Sequence, residues 1–280
     1  RGALDDKGPT MAAYHALKIV KDSGLPLSKR IRMIIGTDEE SDWRCVEHYF
    51  KHEEMPSAGF APDADFPIIY AEKGLIDAAL KIETDQAETG ADLTLETFRS
   101  GRRLNMVPDD AEAVLEGAAP SGFEESFVRF VKEKRAEGRI FQEDGRLTLT
   151  VYGKSAHAME ANNGVNAGLI LSEFLHTQSL DRAGLQFVQT VSGAFAGDTR
   201  GKKIGIGCRD DISGELTLNV GRLQYEQEKG GEAHINIRYP VTEESDRVKS
   251  GLSQIKGARL VSFKDSKPHH IAKDHKLIQT

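Results

Sequence analysis

Two hydrophobic rhythms divide this chain. Near the start, Pro9 is placed as an early helical residue, and Met11, Tyr14, Ala16, Leu17 and Val20 follow at mostly helical spacing until Gly24. Residues 30–35 alternate and then run apolar, which predicts a strand entering Gly36. Trp43, Val46, Tyr49 and Phe50 mark a second helix over about 42–52, and 58–61 reads as a short strand leading to Pro62-Asp63. This βα, βα, β order predicts an α/β domain with a mostly parallel sheet. From about Ile76 strand-like stretches dominate: 76–83, 93–99, 111–116, 147–152, 215–224 and 234–239. Helices come between them, one marked by Phe123, Phe127, Phe130 and Val131, another by Val165, Leu169, Leu171, Phe174 and Leu175. Strand runs with interspersed helices predict an inserted α+β domain. Residues 111–126 and 233–245 echo each other, each giving an alternating strand, a proline and Glu-Glu-Ser, although Glu-Glu-Ser is also common helix-start chemistry.

Composition narrows the class. At 280 residues and 39% hydrophobic, the chain is long enough for more than one domain with a substantial core. A net charge of −7 with both signs well mixed argues against a nucleic-acid partner and suits a soluble, cytoplasmic protein. No long apolar run predicts a membrane span. The two cysteines, Cys45 and Cys208, lie far apart without metal-binding spacing and read as reduced thiols. Both ends look cut, with no strand before the first acidic loop and a helix stopping mid-pattern, so the chain is expected to be an internal piece of a longer polypeptide.

The chemistry is concentrated in three acidic clusters, each placed after a probable strand: Asp5-Asp6, Asp38-Glu39-Glu40 and Asp63-Ala64-Asp65. Open α/β sheets bind ligands outside the carboxyl ends of their strands, so Asp5, Glu39, Glu40 and Asp63 are expected to converge. Gathered carboxylates repel one another unless cations sit among them, which points to a metal site. Adjacent Asp5 and Asp6 point opposite ways in an extended chain, so one is expected to bind and the other to support. Of Glu39 and Glu40, one would reach the metal and the other would face substrate or water. The plain alternative treats 38–40 as acids favoured by a helix N-terminus.

The segments RGALDDKGP, GTDEES and FAPDADFP resemble successive signatures of the di-zinc aminoacylase, carboxypeptidase and carnosinase superfamily, with peptidase V-like dipeptidases the nearest in pattern. GKSAHA at 153–158 and RRLNMVP at 102–108 resemble that family's inserted lid domain. The resemblance implies a zinc-exopeptidase-like catalytic domain over 1–74, a lid of two similar α+β halves over 75–264, and a return into the catalytic domain over 265–280. It implies two divalent ions, zinc first with manganese or cobalt as alternatives. Asp5 would bridge them, Asp6 would support it through a cis Asp5–Asp6 peptide, and Glu40 and Asp63 would each bind one ion. Glu39 would be the general base acting on the bridging water. His157 would polarise the scissile carbonyl from the closing lid, while Asn105 and Arg238 would hold the substrate carbonyl and C-terminal carboxylate. The partner implied is a small peptide and the oligomeric state a monomer.

Other readings stand beside these. Taken alone, His157 suits a solvated loop, Asn105 a turn before Pro108, and Arg238 an exposed strand position. The family's histidine ligands, one before the Asp5 loop and one near the C-terminus, have no counterpart in 1–280, so this piece alone is expected to be inactive. Within the same superfamily, an N-acyl-amino-acid deacylase or a carboxypeptidase fits the same residues. A magnesium-dependent phosphohydrolase also uses clustered Asp, but no glycine-rich phosphate loop is present. A non-catalytic binding homologue is the remaining alternative.

Overall fold

The structure is a computed structural model that describes residues 2–39, 43–64, 67–85 and 90–279. It divides into two compact units, Arg1–Tyr70 with Ile271–Thr280, and Ala71–His270.

In the first unit, α1 spans Gly8–Asp22 with proline in its first turn, where a missing N–H costs nothing. Helix α2 spans Arg44–Tyr49, and Lys276–Gln279 forms a final helical turn. Among the described residues the expected strands at 30–35 and 58–61 are not formed, so the parallel sheet expected there is not confirmed. A strand exists through ladder bonds to a neighbour, and no described strand pairs with either segment. Ile31, Ile34 and Ile35 are accordingly exposed. Among the described residues no helix is long and apolar enough to cross a membrane.

The second unit contains β1 (Ala71–Glu72), β2 (Gly74–Ile82), β3 (Leu93–Ser100), β4 (Asp110–Gly117), β5 (Glu137–Glu143) and β6 (Arg146–Tyr152). It continues with β7 (Arg209–Asp210), β8 (Gly214–Glu215), β9 (Thr217–Glu226), β10 (Gly230–Tyr239), β11 (Ala258–Ser266) and β12 (His269–His270). Its helices are α3 (Phe123–Glu133), α4 (Ala167–His176), α5 (Arg182–Phe195) and α6 (Ser245–Ser253). Eight strands form one sheet in the order β11-β2-β10-β9-β3-β4-β6-β5, and every ladder in it is antiparallel. β3 and β9 meet at the middle. On each side a hairpin (β3–β4 or β9–β10) leads to a helix (α3 or α6) and then to an edge strand (β5 or β11).

Period-2 patterning explains why the sheet has one dry and one polar face. On β10, Ala233, Ile235, Ile237 and Tyr239 are buried, and the residues that alternate with them are Glu232, His234, Asn236 and Arg238. The dry face joins Leu80, Leu95, Phe98 and Leu149 to Phe127, Phe174 and Phe187 from the helices in one continuous core. Phe174 meets Phe123 and Phe127 edge-on, with ring centroids 5.4 and 4.9 Å apart. That core gives the polar face a rigid backing.

Candidate active site

Arg238 is the most informative residue on the polar face. It lies on β10, opposite Leu75 of β2 and Thr217 of β9. The side chain is half-buried, its Nε is buried without a partner, and no described residue gives its guanidinium a hydrogen bond or ion pair. Burial lowers its pKa, while Asp77 and Glu72 offset this from a distance. An Arg stays protonated regardless, so a partly desolvated cation without a direct counter-ion among the described residues is held here. Beside it, the Thr217 hydroxyl is also buried without a partner.

One row further along the strands, Asn236 lies opposite Asp77 on β2 and Asn219 on β9. Asn236 Nδ2 donates to Asp77 Oδ1 at 2.7 Å. Asn219 instead donates from Nδ2 to the carbonyls of Leu104 and Met106, at 2.9 and 2.8 Å. These carbonyls flank Asn105, whose own side chain is exposed. The 105–107 segment is in turn stitched to the segment carrying His157. Ala158 N–H donates to Asn105 O at 2.9 Å, Val107 N–H donates to Ala156 O at 2.8 Å, and Met106 and His157 form an isolated antiparallel bridge.

His157 caps the short 3₁₀ helix Ala158–Asn163, with its Nδ1 accepting the Met159 N–H at 3.3 Å. Accepting at Nδ1 leaves the proton of the neutral ring on Nε2, which makes Nε2–H a free donor. The residue is exposed overall, yet partial covering of the ring holds its pKa below the ordinary value. The Arg238 charge adds to that shift and Glu160 partly opposes it. The second unit therefore brings together a neutral imidazole donor, an exposed carboxamide and an unpaired guanidinium. Strand position, not sequence proximity, supplies Asn219, Asn236 and Asp77, which the sequence reading did not identify. The polar alternation of 232–238 carried the signal for Asn236.

The carboxylates belong to the first unit. The Asp5–Asp6 peptide is cis, with both residues in non-helical conformations within a turn over Ala3–Lys7. Asp5 is exposed, whereas Asp6 Oδ2 accepts from Thr10 at 3.3 Å and Asp6 Oδ1 is buried without a partner. Asp38 caps α2 by accepting from Arg44 N–H and Cys45 N–H, both at 3.0 Å. Hydrogen bonds from Cys45, side chain then backbone, lower its pKa. Part of the 38–40 cluster thus serves the helix terminus, while Glu39 and Asp63 are exposed. Glu40 lies outside the described residues. Among the described residues no group of three or more His, Cys, Asp or Glu side chains forms a metal cluster, so Asp5, Glu39 and Asp63 are not gathered into one. In donor chemistry these oxygens suit a hard divalent ion, and the orphaned Asp6 Oδ1 is the observation that favours such a partner.

Comparison with known proteins places the chain. The model of Peptidase family M20/M25/M40 matches residues 1–279. The chain belongs to this family. Members of family M20 generally use divalent metals. A protein from Bacillus subtilis (strain 168) named "Putative dipeptidase YtjP" is 61% identical over 282 residues, covering 100% of this chain and 60% of its own length. One from Staphylococcus aureus (strain bovine RF122 / ET3-1), "Putative dipeptidase SAB1611c", is 43% identical over 287 residues, again covering the whole chain and 61% of its own length. The chain therefore spans about three fifths of the length of these curated relatives. The crystal structure of aminoacylhistidine dipeptidase from Vibrio alginolyticus is similar at 15% identity with a TM-score of 0.35, over 75% of this chain and 47% of that one. That likeness is too loose to bear on the fold.

Proposed function

We propose that this M20 chain carries the substrate-binding groups and part of the metal-binding set of a dipeptidase that hydrolyses small peptides with a free C-terminal carboxylate. The single observation that carries this reading is the half-buried Arg238 guanidinium, without a direct partner among the described residues, on the same polar face that seats the Asn105 and His157 loops. A planar fork of that kind matches a carboxylate with two parallel hydrogen bonds. His157, neutral and with Nε2–H free, donates to the scissile carbonyl and stabilises the oxyanion that develops on it. Asn105 holds the substrate carbonyl.

Asp5, Glu40 and Asp63 are the residues that would hold divalent ions, with Asp6 supporting Asp5. When bound, such ions supply charge stabilisation and a water whose pKa falls to roughly 7. Glu39 takes the proton from the attacking water and returns it to the leaving amine. The names of the relatives, both called dipeptidases, support the choice of substrate class. Two zinc ions, a monomeric state, and the division into a parallel-sheet catalytic domain and a two-half lid belong to the same proposal.

The test uses the intact protein, stripped of metal and offered dipeptides, N-acetyl amino acids or a phosphomonoester with Zn²⁺, Mn²⁺ or Mg²⁺. Metal-dependent cleavage of dipeptides, lost in Glu39→Ala with metal content unchanged, is the expected result. Turnover confined to N-acetyl amino acids would reassign the substrate, and turnover of the phosphomonoester alone would reject the reading.

A further inference from the structure

Asn105 and His157 lie on exposed loops, yet contacts to substrate require fixed positions to within a fraction of an ångström. The means of fixing them is one buried amide. Asn219 is 2% exposed in the middle of β9, where its neighbours Leu218 and Val220 belong to the core. Its carboxamide nitrogen has two hydrogens, and the two bonds it makes go to Leu104 O and Met106 O, one on each side of Asn105. Beneath the loop, β9 carries a bulge: His234 pairs with Arg222 and Ile235 with Val220, leaving Gly221 as the extra residue. A Cβ at Gly221 would lie 2.6 Å from Leu104 Cα and 2.7 Å from Leu104 O, so the loop rests directly on bare backbone. The Ala158 N–H to Asn105 O bond then passes the position on to the His157 segment.

We propose that Asn219 is a positioning residue for the reaction, setting Asn105 from both sides and, through Asn105, His157. This rests on the reading of Asn105 and His157 as substrate contacts. The chemistry at 219 is demanding. Two backbone acceptors need two donors on one neutral atom; serine supplies one, and aspartate of the same shape supplies none and repels both carbonyls. Asn236, directly across the ladder, does not duplicate the role because its amide is committed to Asp77.

The experiment measures kcat and KM for dipeptide cleavage in the intact protein carrying Asn219→Asp, Asn219→Ser, Asn105→Ala, His157→Gln and the Asn105→Ala/Asn219→Asp pair. A misplacement near 1 Å costs about 100-fold, so Asn219→Asp should lower kcat/KM by about 10- to 100-fold, with Asn219→Ser in between. The double variant should lose less than the product of the two single losses, because positioning of the Asn105 side chain no longer matters once that side chain is deleted and only the effect passed through Asn105 O to the His157 segment remains. If Asn219→Asp does not fold, Asn219→Ser and its pair with Asn105→Ala carry the same comparison. Wild-type kcat/KM in the folded Asn219 variants, or losses that multiply in the double variant, would overturn the proposal. Unchanged turnover in both Asn105→Ala and His157→Gln is a different result, and it would remove the underlying site reading instead.

Discussion

Replacing Arg238 with methionine should separate binding from stability, because the structure gives the two opposite signs. The side chain is half-buried without a direct ion pair among the described residues and with Nε buried and unsatisfied, so the folded protein gains little from the guanidinium. A buried donor without a partner costs about 1–3 kcal/mol, and an apolar chain of similar length removes that cost while keeping the packing of the stem. Stability of Arg238→Met should therefore be unchanged or raised by about 1 kcal/mol. Binding should move the other way. Truncating one partner of a buried hydrogen-bonded charge pair costs about 2–5 kcal/mol, which at 1.4 kcal/mol per decade is roughly 30- to 4,000-fold in kcat/KM. Most of the loss should fall on KM, since the carboxylate is held equally before and during bond cleavage. Urea unfolding at constant m-value reads the first effect, and dipeptide kinetics in the intact protein read the second. A dipeptide amide, lacking the carboxylate, serves as control: on it the gap between wild type and variant should close. A destabilised variant with an unaltered KM would refute the reasoning for both effects.

Three further outcomes follow from the geometry. Asp77→Ala should destabilise the protein by about 1–3 kcal/mol in the same urea assay, since it strips the Asn236 amide of its acceptor in a buried row. Burial pushes the Asp210 carboxyl up, but hydrogen bonds from Ser213 and Thr242 outweigh it and bring the pKa to about 2. A lowered folded pKa gives stability that is present above the ordinary value near 3.8 and lost as pH falls through about 2; Asp210→Ala should flatten that part of an acid-unfolding profile. Cys208, raised to about 11 first by burial and then by Glu243, should remain a thiol at pH 8 and react slowly with iodoacetamide while the protein is folded.

Legibility in the sequence followed burial. The strands expected at 76–83, 93–99, 111–116, 147–152, 215–224 and 234–239 overlie β2, β3, β4, β6, β9 and β10, where one face packs on helices and alternation is enforced. The unanticipated strands β5 and β11 are the sheet edges; Phe141 and Val261 are exposed there and the apolar rhythm is faint. In the first unit the rhythm at 30–35 misled, because alternation expresses a tendency that only a pairing partner converts into a strand. At the site, His157, Asn105 and Arg238 stood out through a family pattern. Asn219 did not, since an asparagine in an apolar strand announces nothing when the carbonyls it serves lie 115 and 113 residues upstream. The same limit applied to Asp38, whose helix-capping bonds are indistinguishable in sequence from metal-directed chemistry.

The most direct measurement is a crystal structure of the intact protein with an uncleavable dipeptide analogue bearing a free C-terminal carboxylate. The account predicts that carboxylate within hydrogen-bond distance of the Arg238 guanidinium and the analogue's oxyanion mimic within reach of His157 Nε2. An analogue bound with its carboxylate elsewhere, and Arg238 left unpaired, would contradict it.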